Sequence, residues 1–537
     1  MRCRQTVLFV VLWCGWGLVL SASATDRVFR VPGTHPAGLE FDGRHLWLAD
    51  HMGLEIVRID PADGRVMSTL PAPGFAPRGL AWDGELLWCS DAEAGWIYGI
   101  DVKTGVSRRI LESNAKKPGA LAFDGSFLWL VDHGSRRILK INRRDGMMHE
   151  NIPVPADSLR GLSHDGAYLW TCDPDENLLY RLDPTDGQVV TFIPAPGPCP
   201  HGLCWDGKTL WNVDYQTLKM VRLDLGGSGM SRRSDPRVID WEIVQVFRNN
   251  GPGVVEDLEV FIAVPETLPN QEMMGDPVFD PAPAAFVSDR WGQRFARFLF
   301  ARLEAGERVK ATLRVRSRHY LSEIFVFPER VQGLDRIPDS LDPFLADGFK
   351  YDLKHPLIRS AVDEAVGGET RPYWIMRRIF RFIDDRIEYN LKPLGGWNPA
   401  PTVLRRGTGS CSEYTFLFIA MCRAAGLPAR YAGSVVVRGP DRGFDDVWHR
   451  WAEVYLPGYG WVPVDVQAAD NKEPARAARC IGTVGNRFLI TTRGGGDSRY
   501  LDSYYNFNAR WKTRGRAQVV SRQYAEYVPV EAKDPSS

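Results

Sequence analysis

The sequence predicts a multidomain, β-rich chain: a five-bladed β-propeller, then a β-sandwich, then an α+β domain. Three observations support this order. A 41-residue repeat occupies the first part of the chain, long alternating strands follow it, and clear helical patterns begin only near residue 370. The total of 537 residues also exceeds one ordinary domain, so several globular units are expected.

The N-terminus has the pattern of a secretory signal peptide. Arginines precede a short apolar stretch, and Ala22 and Ala24 provide the small residues of a cleavage site, so residues 1–24 are predicted to be removed. A membrane anchor is the alternative, but the apolar stretch is short for a bilayer span. We therefore expect a secreted or periplasmic protein with no stable membrane span after cleavage.

Residues 25–225 are predicted to form the propeller. Each repeat has an Asp-Gly turn, a tryptophan four residues after the glycine, and three or four short β-rich runs between turn residues, which is typical of a propeller blade. The fifth repeat has no good outer strand, whereas residues 27–33 precede the first repeat without a partner. We expect this N-terminal strand to close the ring. The repeated pairs are Gly43 and Trp47, Gly84 and Trp88, Gly125 and Trp129, Gly166 and Trp170, and Gly207 and Trp211.

The repeat resembles NHL and YVTN-like propeller repeats, a resemblance that implies an architecture and little chemistry. The repeated Asp and Trp residues are interpreted as turn caps and packing between blades. His51 and His133 occupy equivalent places in two repeats, but two imidazoles are too few ligands for a metal site. No charged or aromatic cluster names a ligand, so the expectation is limited to a protein or cell-wall ligand on the propeller.

Residues 226–236 are predicted to be a linker, and residues 237–331 an Ig-like β-sandwich. Alternation is clear around residues 308–315, where Val309 and Val315 face one side and Arg308 and Arg314 the other. Residues 501–537 are predicted to be a C-terminal extension, either a final strand pair or a wrapped segment with a frayed end.

The strongest functional pattern lies in the α+β domain predicted for residues 332–500. Cys411 stands just before an apolar-periodic run, so the N-terminus of the resulting helix would point at its sulfur and favour the thiolate. His449 and Asp465 lie on two short β-rich runs joined by a Pro-Gly turn. The predicted hairpin brings Asp465 toward His449, in a register that the pattern leaves open.

These three groups can perform nucleophilic acyl transfer: Cys411 attacks a carbonyl, His449 moves the proton and Asp465 orients the imidazole ring. The segments around them, PTVLRRGTGSCSEYTFLFIAMCRAAGLPARYAG and HRWAEVYLPGYGWVPVD, resemble the transglutaminase-like superfamily, relatives of the papain-like cysteine proteases. The resemblance covers about residues 358–495. It implies that Cys411, His449 and Asp465 form a catalytic triad.

The resemblance also implies an upstream aromatic residue that assists the oxyanion. Tyr389 and Trp397 are the two candidates, and no spacing rule selects between them; backbone N–H groups near Cys411 are a third option. Glu413 and Arg430 are interpreted as salt-bridge partners in preference to substrate contacts.

The predicted function is that of an exported cysteine protease or amidase that acts on a protein or peptide through a thioester. Resolution of the thioester by an amine would make the enzyme a transglutaminase. Hydrolysis is favoured because water is always present, whereas transamidation needs a tunnel or screen that excludes it. Two other classes remain: a binding protein that uses its propeller, and a propeller that is itself a lyase or hydrolase. The sequence assigns no substrate-binding residues.

Composition limits the partners. The 66 basic and 66 acidic residues leave no net field to attract nucleic acid, and no cofactor or metal is predicted. Of nine cysteines, seven remain after removal of the signal peptide, so at least one thiol of a monomer is unpaired. Cys199 and Cys204 form the favoured local disulfide, with several buried free thiols as an equally weighted alternative.

Overall fold

The structure is a computed structural model that describes residues 28–225, 231–392, 396–469 and 473–530. The predicted signal peptide and the frayed C-terminus lie outside the described residues. The described part consists of five four-stranded sheets, a two-sheet sandwich and an α+β domain, which confirms the predicted fold class. No helix among the described residues has the length and apolar character needed to cross a membrane.

Each propeller blade is a four-stranded antiparallel sheet. Blade 1 consists of β2 (Pro36–Phe41), β3 (Leu46–Asp50), β4 (Glu55–Ile59) and β5 (Val66–Pro71). Blade 2 consists of β6 (Pro77–Trp82), β7 (Leu87–Asp91), β8 (Trp96–Ile100) and β9 (Ser107–Glu112). Blade 3 consists of β10 (Pro118–Phe123), β11 (Phe127–Asp132), β12 (Arg137–Asn142) and β13 (Met148–Pro153). Blade 4 consists of β14 (Leu162–His164), β15 (Leu169–Asp173), β16 (Leu178–Leu182) and β17 (Val189–Pro194). Blade 5 consists of β1 (Val28–Arg30), β18 (Pro200–Trp205), β19 (Leu210–Asp214) and β20 (Lys219–Leu223).

The ring closes as the sequence predicts. Phe29 of β1 pairs antiparallel with Met220 of β20, so the first strand of the chain is the outer strand of the last blade. The repeated Asp-Gly turns also behave as predicted. In the first blade the Asp42 carboxylate accepts backbone N–H bonds from the turn and the indole N–H of Trp47 at 2.8 Å, and the same contact recurs in every blade. A single aspartate in each blade therefore caps the turn and fixes the buried tryptophan.

The sandwich consists of two sheets. Its strands in the first segment are β21 (Ser231–Asn249), β22 (Val254–Ala263), β23 (Gln271–Met273), β24 (Val278–Asp280), β25 (Ala285–Ser288), β26 (Arg294–Leu303) and β27 (Arg308–Ile324). The burial pattern of β27 follows the predicted alternation in part: Ala311 and Leu313 are fully buried and Arg308 and Arg314 are exposed, but Thr312, predicted to share the face of the arginines, is also buried. The strand β21 begins inside the segment predicted as a linker, because Ser231 and its neighbours already pair with the end of β27.

The sandwich also needs the end of the chain, which corrects the prediction of a sandwich confined to residues 237–331. The last two strands, β36 (Phe507–Arg514) and β37 (Val519–Val530), pair with β22 and β21 respectively. The segment predicted as a C-terminal extension is therefore a strand pair that completes both sheets. The reason is edge pairing: β21 and β22 would otherwise leave long rows of unpaired backbone groups.

The α+β domain lies between these sandwich strands in the chain. Its helices are α1 (Pro356–Val366), α2 (Pro372–Asp384), α3 (Ala400–Arg406), α4 (Cys411–Ala424) and α5 (Pro474–Arg479). Its strands are β28 (Glu388–Tyr389), β29 (Thr408–Gly409), β30 (Ala429–Val436), β31 (Gly443–Asp445), β32 (His449–Leu456), β33 (Gly460–Val464), β34 (Thr483–Val484) and β35 (Phe488–Gly494). Three short 3-10 helices lie between β27 and α1, and a fourth lies between β33 and α5; they are Pro328–Arg330, Leu334–Arg336, Asp339–Phe344 and Val466–Ala469. The central sheet has the order β33-β32-β30-β35, and α4 packs against β32.

Blade 4 joins the propeller to the rest of the chain. Its outer strand β17 is almost completely buried, whereas the outer strands of blades 1 to 3 are mostly exposed. The Tyr373 hydroxyl of α2 donates to the Val190 carbonyl at 2.6 Å, and the ring of Phe325 packs edge-on against Phe192. An apolar interface with satisfied hydrogen bonds therefore fixes this blade against both other domains.

The predicted disulfide between Cys199 and Cys204 is wrong, since all seven cysteines among the described residues are free. Cys199 precedes β18, whereas Cys204 lies near the end of that strand and is completely buried. At about 3.3 Å per residue, an extended segment separates the two Cα atoms by roughly 16 Å, beyond the reach of about 7 Å for a disulfide.

We expect seven free thiols in the mature protein. A thiol reagent added to protein denatured without reductant should titrate all seven, because no pair among them is bonded. The same titration after reduction is the control. A count of five without reductant and seven with it would contradict the structure.

Candidate active site

Cys411 is the first residue of α4 and lies at its N-terminus. Gly409 and Ser410 precede the helix in extended conformation, and Ser410 is the N-cap. The sulfur therefore stands where unpaired N–H groups and the helix dipole favour negative charge. Cys411 is 8% exposed, so most of its surface is protected from solvent.

His449 begins β32, and Asp465 follows directly after β33. The pairing of Ala452 with Val464 places Asp465 two residues out of register with His449, and the side chains close this offset. The Nε2–H of His449 donates to Asp465 Oδ2 at 2.7 Å. This contact leaves Nδ1 for the Cys411 thiol, and a hydrogen bond joins those two side chains. The structure thus brings together the three residues that the sequence singles out.

The electrostatics favour an ion pair between sulfur and imidazole. Burial alone would raise the pKa of the Cys411 thiol, but the hydrogen bond and positive charge of His449 outweigh it and leave this pKa below its ordinary value. Burial alone would lower the pKa of His449, but the Asp465 carboxylate and the Cys411 sulfur raise it. Both shifts favour the thiolate–imidazolium form over the neutral thiol and imidazole.

The other thiols of this domain behave differently. Cys422 lies on the same helix and is completely buried, and burial raises the pKa of its thiol well above the ordinary value. Burial raises the pKa of the Cys480 thiol in the same way. Burial alone therefore raises a thiol pKa, and the imidazolium beside Cys411 is what lowers the pKa of this one.

The two oxyanion candidates occupy different places. Tyr389 lies on β28, which pairs in parallel with Gly409 just before the nucleophile, and its side chain is 39% exposed. Burial and the nearby negative sulfur of Cys411 raise the pKa of the Tyr389 hydroxyl, so it stays protonated. Trp397 instead packs against the rings of Tyr504 and Tyr505. Tyr389 is therefore close enough to Cys411 for their charges to interact, whereas Trp397 belongs to the aromatic cluster around Tyr504 and Tyr505.

Arg450 is a feature of the site that the sequence reasoning missed. Its backbone N–H bonds to the Cys411 sulfur, its guanidinium is 1% exposed, and its charge lowers the pKa of the thiol. Within the described residues no carboxylate forms an ion pair with it. Four rings enclose the guanidinium with centroids 4.0 to 5.1 Å from its carbon, namely Tyr505, Phe416, Tyr431 and Trp397.

A buried cation without a carboxylate leaves its field available to the nearest anion. The rings stabilise the guanidinium through their faces, and the Ser503 carbonyl accepts a bond from it at 2.8 Å. The signal in the sequence is the arginine inside HRWAEVYL, a strand whose other members are mostly buried and apolar. Burial of an arginine there costs free energy unless its charge makes a compensating interaction.

Glu413 and Arg430 serve structural purposes. The completely buried carboxylate of Glu413 accepts the Ser410 N–H at 3.0 Å and the Asn398 side-chain amide at 2.8 Å, so it ties the preceding loop to the start of α4. Arg430 donates to Glu453 at 2.6 Å, so the predicted role of salt-bridge partner is confirmed for Arg430. It is wrong for Glu413, which caps α4 and forms no ion pair among the described residues.

The sandwich supports the imidazole from behind. Phe488 stacks on the His449 ring at 5.6 Å between centroids, and the Phe488 carbonyl accepts a bond from His319 Nδ1 at 2.9 Å. His319 is completely buried on β27, and burial lowers its pKa to about 4, so it is a neutral donor at this nitrogen. The catalytic ring therefore rests on a residue that the sandwich fixes.

No metal centre is evident. Across residues 28–225, 231–392, 396–469 and 473–530 there is no cluster of three or more His, Cys, Asp or Glu side chains that could hold an ion.

A family comparison agrees with this geometry. Residues 359–466 match the model of the Transglutaminase-like superfamily, which confirms the resemblance seen in the sequence. Cys411, His449 and Asp465 all fall within the match. Residues 359–466 therefore form a transglutaminase-like domain.

Individual relatives are distant. A curated "Uncharacterized protein" of Haemophilus influenzae is 29% identical over 130 residues, which are 20% of this chain and 35% of that protein. The chain thus spans about a third of the length of this relative. Among solved structures, "a Putative Cysteine Protease from Cytophaga hutchinsonii" is 14% identical and covers 56% of this chain and 100% of its own, with a TM-score of 0.40. Virginiamycin B lyase from Staphylococcus aureus is 21% identical over 36% of this chain and 67% of its own, with a TM-score of 0.26.

We expect Cys411 to be alkylated rapidly even below pH 7. An ordinary thiol loses about tenfold in thiolate per pH unit below a pKa near 8.5, whereas the imidazolium of His449 keeps Cys411 ionised. Mass spectrometry after iodoacetamide treatment between pH 5.5 and 8.5 should therefore show a shallow pH dependence for Cys411 and no labelling of Cys422 in the folded protein. In Asp465→Asn the dependence should become steep. A tenfold fall per pH unit in the unaltered protein would contradict the ion pair.

Replacement of Arg450 tests whether its charge stabilises the Cys411 thiolate. In Arg450→Met the buried charge is lost, so the midpoint of the Cys411 alkylation profile should move upward by about one pH unit, which corresponds to about 1.4 kcal/mol. Arg450→Lys keeps the charge and should restore most of the profile. If both variants fold, as judged by circular dichroism, and share the profile of the unaltered protein, Arg450 acts only by packing.

Proposed function

We propose that this chain, which carries a transglutaminase-like domain at residues 359–466, is an exported enzyme that hydrolyses peptide or amide bonds through a thioester on Cys411. One observation carries the proposal: a thiol at a helix N-terminus is hydrogen-bonded to an imidazole, whose other nitrogen lies 2.7 Å from a carboxylate. This arrangement can both form and resolve an acyl-enzyme.

The first half of the reaction acylates the enzyme. The Cys411 thiolate attacks the carbonyl carbon, and the carbonyl oxygen takes up the negative charge. When the tetrahedral intermediate collapses, the carbon–nitrogen bond breaks and the His449 imidazolium protonates the leaving amine. The products of this half are a free amine and a thioester on Cys411.

The second half releases the acid. His449, now neutral, accepts a proton from water as the oxygen attacks the thioester, and the carbon–sulfur bond breaks to regenerate thiolate and imidazolium. Asp465 keeps the ring in one orientation throughout. Backbone N–H groups at the start of α4 and the protonated Tyr389 hydroxyl are the donors that we propose for the developing oxyanion.

Burial of the thiol restricts the substrate. Because Cys411 is 8% exposed, only a slender segment can bring its carbonyl to the sulfur. An extended main chain or a flexible amide side chain meets this requirement, and both occur in proteins. We therefore infer a protein or peptide substrate.

Transamidation is the second candidate. The same thioester would pass its acyl group to an amine if water were excluded, and the chemistry up to that point is identical. We favour hydrolysis because it requires no second binding site. The predicted signal peptide motivates the proposed secreted or periplasmic location, and the propeller is proposed to bind the substrate or a partner.

Cys411→Ala should abolish turnover without unfolding the protein. The nucleophile starts the first covalent step, so the rate of cleavage of a fluorogenic peptide library should fall by at least about 1,000-fold. Cys422→Ala on the same helix is the matched control and should retain activity. Incubation of the unaltered protein with a glutamine peptide and a labelled amine distinguishes the two acceptors.

The outcomes separate the candidates. Cleavage without amine incorporation supports hydrolysis, and incorporation that depends on Cys411 makes the protein a transglutaminase. Equal rates in Cys411→Ala and in the unaltered protein would sink both proposals.

A further inference from the structure

The mouth of the propeller axis holds a concave cavity of about 520 Å³. Residues at the starts of the inner strands line it, and they come from all five blades. One position of the 41-residue repeat contributes a polar side chain to the cavity in three blades. It is Arg78 in blade 2, Arg160 in blade 4 and His201 in blade 5. Lys117 and His133 of blade 3 complete the polar lining.

Comparison of the five repeats shows which residues the blade fold requires and which it does not. The Asp, Gly and Trp residues that build each blade recur in all five repeats, so the fold requires them. The position of Arg78 and Arg160 is occupied instead by Ala37 in blade 1 and Gly119 in blade 3. The blade fold therefore accepts several residue types at this position, so the fold alone does not explain the two arginines.

Three cationic side chains line the cavity. Among the described residues no carboxylate lies within ion-pair distance of Arg78, Lys117 or Arg160. The lining carboxylate of Asp157 is paired with Arg136. The repeated aspartates lie nearby, but their carboxylates are engaged by backbone N–H groups of their own turns; Asp91, for example, accepts from Ala94 at 2.8 Å.

The pKa shifts of groups around the cavity indicate a positive electrostatic potential inside it. Burial and the charge of Arg160 lower the pKa of Arg78, which is the effect of one cation on another. Burial first, and then the charge of Arg160, lower the pKa of His133 to about 4; burial and both arginines do the same for His201. Both imidazoles are thus neutral at pH 7 and can donate N–H bonds.

We propose that this cavity binds a compact anion with at least two negative charges, of the phosphate or polycarboxylate type. Guanidinium forks match the paired oxygens of such groups, and a lysine adds a third charge. A metal ion does not fit, because three cations surround the space and the described residues form no metal cluster. A volume of about 520 Å³ is of the size that holds a small molecule, so we propose a small anion in preference to an acidic polymer. This site does not depend on the chemistry of Cys411.

Titration calorimetry of the full-length mature protein at low ionic strength tests the proposal. The probes are pyrophosphate, citrate and poly-glutamate. Pyrophosphate or citrate should bind with saturation, and the two arms distinguish phosphate from carboxylate recognition. Arg78→Gln/Arg160→Gln should weaken that binding at least tenfold. Arg44→Gln/Lys208→Gln removes the same charge at the opposite ends of the inner strands and should leave it unchanged.

The double variant should also melt no lower than the unaltered protein, because it removes repulsion between two cations. If it fails to fold, Lys117→Gln at an exposed position replaces it and should still weaken binding severalfold. Three results would overturn the proposal: no saturable binding of either small anion, equal loss in the control variant, or binding of poly-glutamate alone. Retained peptide cleavage in these variants keeps this test separate from that of Cys411.

Discussion

The contact between His449 and Asp465 is the interaction on which the active site depends. A buried imidazole would ordinarily be neutral, and a neutral ring would leave the Cys411 thiol protonated at neutral pH. The carboxylate 2.7 Å from Nε2 reverses this preference, and the resulting imidazolium in turn holds the thiolate. The two charges are thus mutually dependent. Neither residue alone would have its functional ionisation state in so buried a place.

Such a pair tolerates little movement, and the chain topology restricts movement from several sides. The α+β domain is inserted between strands of the sandwich, because the final strands β36 and β37 return to pair with β22 and β21. Both ends of the domain are therefore anchored in one rigid module. The sandwich also reaches the site directly, since His319 holds the backbone of Phe488 and the Phe488 ring stacks on His449. A sandwich that only linked two other domains would not need this contact.

The sequence predicts local and repeated features well and long-range ones poorly. The 41-residue period fixes the number of blades, and the unpaired strand before the first repeat predicts the closure through Phe29. The three catalytic candidates follow from helix and hairpin patterns, each within one short segment. The pairing of β37 with β21 joins residues almost 300 positions apart, and no local pattern encodes it. Arg450 was missed for a related reason: its aromatic cage comes from four separate segments. The disulfide failed because spacing in sequence says little about distance once Cys204 lies in an extended strand.

The two halves of the molecule illustrate one physical rule. Charges without partners are costly when water is excluded, so a fold keeps them only where something offsets the cost. In the α+β domain, Arg450 lacks a carboxylate, and the thiolate of Cys411 is the anion that its field stabilises. At the propeller mouth, the charge of Arg160 disfavours the charged form of Arg78, and no carboxylate among the described residues forms an ion pair with either arginine. The first cation is explained by a group that the chain supplies. By the same reasoning, the second pair is explained by a group that arrives from outside.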